Sequence, residues 1–135
     1  MAPQSVLFVC THNAGRSQLA AGFLGQLAAG TVRVESAGTA PADALNPSVV
    51  AAMLEVGVDL REEEPQLLSA EMLQGADLVV AIGVDLVGVV PAGRYVEWDF
   101  PDPADSRLPA VRPIRDAIRS KVVELLAELN APAAA

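Results

Sequence analysis

Cys10 is the only cysteine of the 135-residue chain, and five residues separate it from the pair Arg16-Ser17. Before it, Ser5-Val6-Leu7-Phe8-Val9 is a continuous apolar run of the kind that forms a buried parallel strand. A loop wrapped between the end of such a strand and the start of a helix turns successive backbone N–H groups inward as an anion nest, and the helix dipole adds partial positive charge. The oxyanion nest predicted here comprises Thr11, His12, Asn13, Ala14, Gly15, Arg16 and Ser17. Arg16 can fork two hydrogen bonds onto one tetrahedral oxyanion. Cys10 lies at the floor, where donors that bind an oxyanion also stabilise a thiolate, and Ser17 can donate a further hydrogen bond to the sulfur. Asn13 and Gly15 are residue types that tolerate positive φ in a tight loop. Alone, a cysteine at a strand end reads as a small buried hydrophobe. With Arg-Ser at this spacing, on a strand–turn–helix, it reads as a nucleophile toward an oxyanion.

Phosphoryl or arsenyl transfer to sulfur needs an acid for the leaving oxygen. Trp98-Asp99-Phe100-Pro101-Asp102-Pro103-Ala104-Asp105 follows the fourth apolar run and is therefore placed on the same sheet edge as Cys10. Asp102 is the expected acid, because prolines on both sides fix its backbone. Asp99 fits a strand-end cap and Asp105 plain surface, and all three are also common turn formers. His12 has no clustered partner and is expected to face solvent rather than act as a base. Gly22 to Gly25 lies mid-helix and Gly83 to Gly88 lacks a third glycine, so neither is a dinucleotide or phosphate-loop fingerprint. Glu62-Glu63-Glu64 reads as a solvated loop.

The elements that must position these residues follow from periodicity. Leu19, Ala20, Phe23, Leu24 and Leu27 form a helix face ended at Gly30. Val32 to Ser36 alternates like a strand near the sheet edge. Asn46-Pro47 is an N-cap with proline at the first helical position, and Val49, Val50 and Met53 follow on one face, with Gly57 suited to the C-cap. Ser69 caps a further helix, with Leu68 and Leu73 spaced as a hydrophobic staple. Asp77 to Ile82 and Arg94 to Trp98 are the third and fourth strands. The last helix is predicted to open near Pro113, with Ile114, Ile118, Val122, Leu125 and Leu129 as its inward stripe, and Ala131 to Ala135 are expected to fray. Strands alternating with helices predict an α/β layer fold with a parallel sheet in one domain, 1–135.

Composition narrows the function classes. The chain carries 9 basic and 17 acidic residues, a net charge of −8, with Lys121 its only lysine. That balance argues against nucleic acid as a partner. Yet residues 1–34 hold no acidic residue, only Arg16 and Arg33, so the rest of the chain carries −10. A locally cationic first quarter can attract a small anion to a protein that is acidic as a whole. No run reaches the length of a membrane span, and the start lacks the basic region of a signal peptide. With one cysteine and one histidine, neither an internal disulfide nor a transition-metal site is expected. The chain reads as a small cytoplasmic protein.

Taken together, Val9-Cys10-Thr11-His12-Asn13-Ala14-Gly15-Arg16-Ser17-Gln18, Glu35-Ser36-Ala37-Gly38-Thr39, Asn46-Pro47 through Gly57, and Asp102-Pro103 resemble the low-molecular-weight phosphotyrosine phosphatase superfamily. Within it they resemble the bacterial arsenate reductases. The resemblance spans residues 4 to 130. It implies a three-layer fold with a four-stranded parallel sheet and flanking helices, Cys10 as nucleophile, Arg16 as oxyanion clamp and Asp102 as general acid. Two departures choose the branch. Phosphotyrosine phosphatases commonly carry an aromatic residue directly after the Asp-Pro, where this chain has Ala104, and Ser36 to Pro47 contains no aromatic either. The thioredoxin-coupled arsenate reductases add two cysteines near the segment after the third strand, and Ile82 to Val90 has neither. That group also usually carries a glutamate where Ala21 stands, which argues against a potassium ion.

The expectation is therefore a single-cysteine, thiol-dependent arsenate reductase of the arsenate–mycothiol transferase type, serving arsenical detoxification. No cofactor is expected to bind tightly. An external low-molecular-weight thiol, mycothiol first with bacillithiol or glutathione behind it, would take the arsenyl group from Cys10. A glutaredoxin- or mycoredoxin-like reductase would then release arsenite. The alternatives are a phosphatase using the same Cys10, Arg16 and Asp102, and a non-catalytic oxyanion-binding regulatory module.

Overall fold

The computed structural model describes residues 4–90 and 94–130. Its strands are β1 (Gln4–Cys10), β2 (Val32–Gly38), β3 (Leu78–Ile82) and β4 (Tyr95–Trp98). They form one parallel sheet in the order β2-β1-β3-β4, so β2 is an edge strand as its alternation predicts. The helices are α1 (Arg16–Ala28), α2 (Pro47–Leu54), α3 (Ala70–Gly75) and α4 (Leu108–Asn130).

Side chains on a strand alternate between faces, and β1 divides the core accordingly. Val6, Phe8 and Cys10 join Val80, Ile82 and Trp98 under α1, α2 and α4. Leu7 and Val9 join Val79 and Ala81 on the other face, where Leu68, Met72 and Leu73 around α3 cover them together with Leu86 and Val90. The same parity aims Cys10 at the helix layer that contains the start of α1. Phe8, Trp98 and Phe100 form an aromatic row, the first pair tilted with centroids 5.7 Å apart and the second edge-on at 6.2 Å.

The predicted caps are present at α2 and α3. The Asn46 side chain accepts from Ser48 N at 2.9 Å, and Ser69 accepts from Met72 N at 3.2 Å. Gly57 is not the residue that caps α2, which ends at Leu54; it turns the chain afterwards with φ +81°. Helix α1 stops one residue before Ala29, itself left-handed at φ 49°, with Gly30 following.

Helix α4 departs most from expectation. It opens at Leu108 rather than near Pro113, and Pro109 occupies the first turn, where a missing N–H costs nothing. Pro113 lies inside the helix. The earlier start brings Val111, Arg115, Ile118, Val122 and Leu125 inward, with Ile114 and Leu129 only partly buried. Arg115 is tolerated there because all its demands are met. It donates to the Ala52 carbonyl near the end of α2 at 2.9 Å, to Glu55 at 2.7 Å and to Asp116 at 2.8 Å. The Val84 to Val90 segment packs only in part. Leu86 and Val90 are buried, and the Tyr95 hydroxyl accepts from Leu86 N at 2.8 Å, whereas Val87 and Val89 face outward. No helix among the described residues is long and apolar enough to cross a membrane. Residues 131–135 lie outside the described residues.

Glu55 joins α2 to α4 through Arg112 and Arg115. The Arg112 hydrogen bond, aided by Arg115 and opposed by partial burial, holds its carboxyl down at about 2 against an ordinary 4.5. A depressed carboxylate stabilises the fold fully above its ordinary value and loses that contribution as pH falls through the folded one. Glu55→Gln is therefore expected to lower the melting temperature at neutral pH. The gap from the unsubstituted protein should close between pH 4.5 and about 2 in thermal melts followed by circular dichroism.

Candidate active site

Strand β1 ends in Cys10, α1 begins at Arg16, and the loop between them wraps the sulfur. Cys10 is 2% exposed. Its Sγ lies 2.9 Å from Ser17 Oγ and accepts from Asn13 N at 3.3 Å. Asn13 adopts φ 50°, as expected of a residue that tolerates the left-handed region. Its side chain does not face the nest. Oδ1 accepts from Gln66 N at 2.9 Å and from Gln18 Nε2 at 3.2 Å, which obliges Nδ2 to point the other way, to Ser17 Oγ at 2.7 Å. A backbone N–H can only donate, so the orientation of the amide is settled by the bonds themselves. Ser17 accepts from Asn13 and shares a hydrogen bond with the sulfur, to which it can donate when the sulfur is a thiolate.

Gly15 corrects the conformational expectation. Its φ is −141°, outside the positive region. It must be glycine because the Asp-Pro loop packs on it, and a Cβ would lie 2.8 Å from Pro103 Cγ. Asn46 fastens the same two loops. Its backbone N donates to the Ala14 carbonyl at 3.0 Å and its Nδ2 to the Pro103 carbonyl at 2.9 Å.

Arg16 is buried, with its Nη1 donating to the Phe100 carbonyl at 3.2 Å and its Nη2 3.6 Å from Asp102 Oδ2. The other oxygen of Asp102 accepts from Ala104 N at 2.9 Å. Cys10, Arg16 and Asp102 line one open cleft of about 550 Å³ with His12, Ala14 and Gly15 of the loop. Asp99 lines a separate depression beside Gly83 and Glu97, so the structure separates it from Cys10. Asp105 does line the cleft, at its rim, with φ 61°. His12 is exposed at the mouth, as expected. Of the predicted nest, Thr11, Asn13 and Ser17 do not line the cleft. The Thr11 carbonyl accepts from Ala40 N at 2.8 Å, and the other two side chains brace the sulfur from behind.

Gln66, Phe100 and Gly83 escape sequence reasoning. Gln66 and Phe100 contribute through backbone atoms, which any residue type would offer. Gly83 carries a weak signal, a lone glycine directly after an apolar run.

The remaining wall, which includes Ala42, Ala44, Leu45, Pro47, Ala104 and Ser106, has no phenyl, phenol or indole ring. The cleft thus combines a buried sulfur, a guanidinium and a carboxylate. Such a set can hold an oxyanion, attack its central atom and protonate a departing oxygen.

Comparison with known proteins places this geometry. A putative arsenate reductase of Halobacterium salinarum is 35% identical over 129 residues, 91% of each chain. An arsenate reductase of Bacillus subtilis is 37% identical over 103 residues, 73% of each chain. Among solved structures, a thioredoxin-dependent arsenate reductase of Corynebacterium glutamicum matches 94% of this chain with a TM-score of 0.80 and 31% identity, and the chain spans 62% of that protein. A tyrosine phosphatase of Erwinia amylovora shares the fold at 21% identity, with a TM-score of 0.85 over 96% of this chain and 95% of its own. The model of the low molecular weight phosphotyrosine protein phosphatase family matches residues 5–134. With the cysteine loop at the end of β1 and the Asp-Pro loop closing over it, the chain belongs to the low molecular weight phosphotyrosine protein phosphatase family.

Proposed function

We propose that this protein is an arsenate reductase that passes the arsenyl group to an external thiol. The observation that carries this reading is the cleft above Cys10. It offers an oxyanion a nucleophile, a guanidinium and an acid, while its alanine-rich wall gives an aryl ester no phenyl, phenol or indole ring to stack on, the His12 imidazole standing at the mouth. Relatives named as arsenate reductases over nine-tenths of the chain support it.

In this reading arsenate settles into the nest and takes the Arg16 guanidinium from Asp102. The Cys10 thiolate attacks arsenic, a sulfur–arsenic bond forms, and an arsenic–oxygen bond breaks as Asp102 gives its proton to the leaving oxygen, which departs as water. A second thiolate then attacks arsenic and displaces Cys10, so arsenic remains pentavalent. Cys10 is the only cysteine of the sequence, so that thiol is external, and mycothiol is the choice advanced here over bacillithiol or glutathione. A thiolate of a glutaredoxin- or mycoredoxin-like partner next attacks the sulfur of the adduct. A mixed disulfide forms, and the sulfur–arsenic electron pair leaves with arsenic as arsenite. Such a reaction fits the cytoplasm, where such thiols are kept reduced. The same Cys10, Arg16 and Asp102 would also open a small phosphoester, the reading that family membership favours; arsenite and phosphate release distinguish the two.

Three outcomes test the reading. Cys10→Ser should abolish arsenate turnover with an unchanged melting temperature, because a serine hydroxyl stays protonated; turnover above trace in a coupled arsenite assay would end the nucleophile assignment. Asp102→Asn should lower kcat by about a hundredfold or more while phosphate still protects Cys10 from alkylation, as for an acid used in the transition state. Asp99→Asn should leave kcat near native, and the reverse order would move the acid to Asp99. Finally, thioredoxin with its reductase should yield no arsenite by itself, whereas mycothiol with a glutaredoxin-like reductase should, an arsenic–thiol adduct appearing first by mass spectrometry. Efficient turnover with thioredoxin alone would refute the external-thiol step, and aryl-phosphate hydrolysis without arsenite formation under any thiol would establish the phosphatase.

A further inference from the structure

Gly83 follows the last residue of β3 with φ +72°, its N–H bonded to the Trp98 carbonyl at 3.2 Å. A Cβ built on it would lie within the Arg16 guanidinium, against Nη1, 2.9 Å from Cζ and 3.2 Å from Nη2. Among the described glycines it alone has a charged group in that place. On another side the Phe100 carbonyl accepts from Nη1 at 3.2 Å. The guanidinium is thus bracketed by backbone from the ends of β3 and β4, and its Nη2 reaches toward Asp102 over the cleft.

We infer that Gly83 is a positioning residue, whose absent side chain is the socket that seats Arg16 for oxyanion binding. This rests on reading Arg16 as the oxyanion clamp. An arginine free to sample its rotamers would have to be ordered by each arriving anion, at an entropic cost that lowers affinity. Seated beforehand, it presents its fork without rearrangement. A side chain at position 83 meets the far end of a flexible residue rather than backbone, so Arg16 moves and the fold stays. The Asn13 and Ser17 contacts of the sulfur do not pass through Gly83, so Cys10 stays in place for alkylation while the anion is held less tightly.

The test must separate the socket from the backbone strain of a positive φ. Asn is the substitute that best tolerates that region. Gly30 provides the matched control, since it has φ +88° and no atom within 4 Å of its Cβ position. The measurement is the concentration of inorganic phosphate that half-protects Cys10 from iodoacetamide, beside the alkylation rate without phosphate. Gly83→Asn should raise the half-protecting concentration about tenfold or more, as when a hydrogen bond to a charged group is lost. Each variant's own alkylation rate without phosphate is the reference against which its protection is read. Gly30→Asn should leave the half-protecting concentration unchanged. In an Arg16→Ala background, Gly83→Asn should have no further effect on protection. Native phosphate protection in a folded Gly83→Asn protein would overturn the inference, as would an equal loss in the Arg16→Ala background. Failure of both Gly83→Asn and the smaller Gly83→Ala to melt cooperatively would overturn it too, by putting the need for glycine in the backbone. Absence of phosphate protection in the unsubstituted protein would instead remove the clamp reading beneath it.

Discussion

Asn13 has no solvent exposure and a left-handed backbone, a conformation that costs an L-residue roughly 1–2 kcal/mol. The rest of the site depends on how that cost is offset. Gln66 N and Gln18 Nε2 donate to its Oδ1, Gln18 donates again to its carbonyl at 3.1 Å, and its Nδ2 donates to Ser17. The turn they hold aims the Asn13 N–H at Cys10 Sγ and sets Ser17 Oγ against the same sulfur, to which it can donate when the sulfur is a thiolate. Every polar atom of that buried side chain is thereby occupied, and the loss of any partner would leave it unsatisfied. The sulfur therefore meets its donors before any anion arrives.

Around that turn, a parallel sheet supplies the convergence. The strands all end on one edge, so the cysteine loop after β1, Gly83 after β3 and the Asp-Pro loop after β4 meet there although widely separated in sequence. Strand parity sends Cys10 to the layer holding α1, and Asn46 at the start of α2 ties the cysteine loop to the Pro103 carbonyl. Distance in the chain is irrelevant once the strand ends are side by side.

Much of this was legible because its signals are local or periodic. The cysteine loop is contiguous, β1 and β3 are apolar runs, β2 alternates, and Asn46-Pro47 and Ser69 are caps read from neighbouring residues. Asp102 was reachable through topology, because its loop follows the fourth strand and prolines flank it. The rest was hidden for physical reasons. The Gln66 N–H and the Phe100 carbonyl are backbone groups without a residue signature. Gly15 is required by Pro103, far along the chain, and not by its own φ. The stripe Ile118, Val122 and Leu125 is legible in the sequence, but the start of α4 is not, because a proline at position 113 reads as a first turn, and the burial of Arg115 depends on the Ala52 carbonyl and Glu55, partners at the end of α2.

Burial of the sulfur bears on the proposed cycle itself. Cys10 is 2% exposed at the floor of a cleft of about 550 Å³, so a bulky thiol has little direct access to Sγ. After arsenylation the arsenic would stand between that sulfur and the mouth, the outermost electrophile on the path inward. A thiolate arriving along that path approaches arsenic from the side opposite Cys10, the line along which the leaving sulfur must depart. Attack on Sγ would instead give a disulfide with the enzyme and would require the thiol to pass the arsenyl group. Depth alone thus favours transfer to the incoming thiol over reduction on the enzyme. The Ser17 hydroxyl and the Asn13 N–H, already aimed at the sulfur, would stabilise the thiolate that leaves.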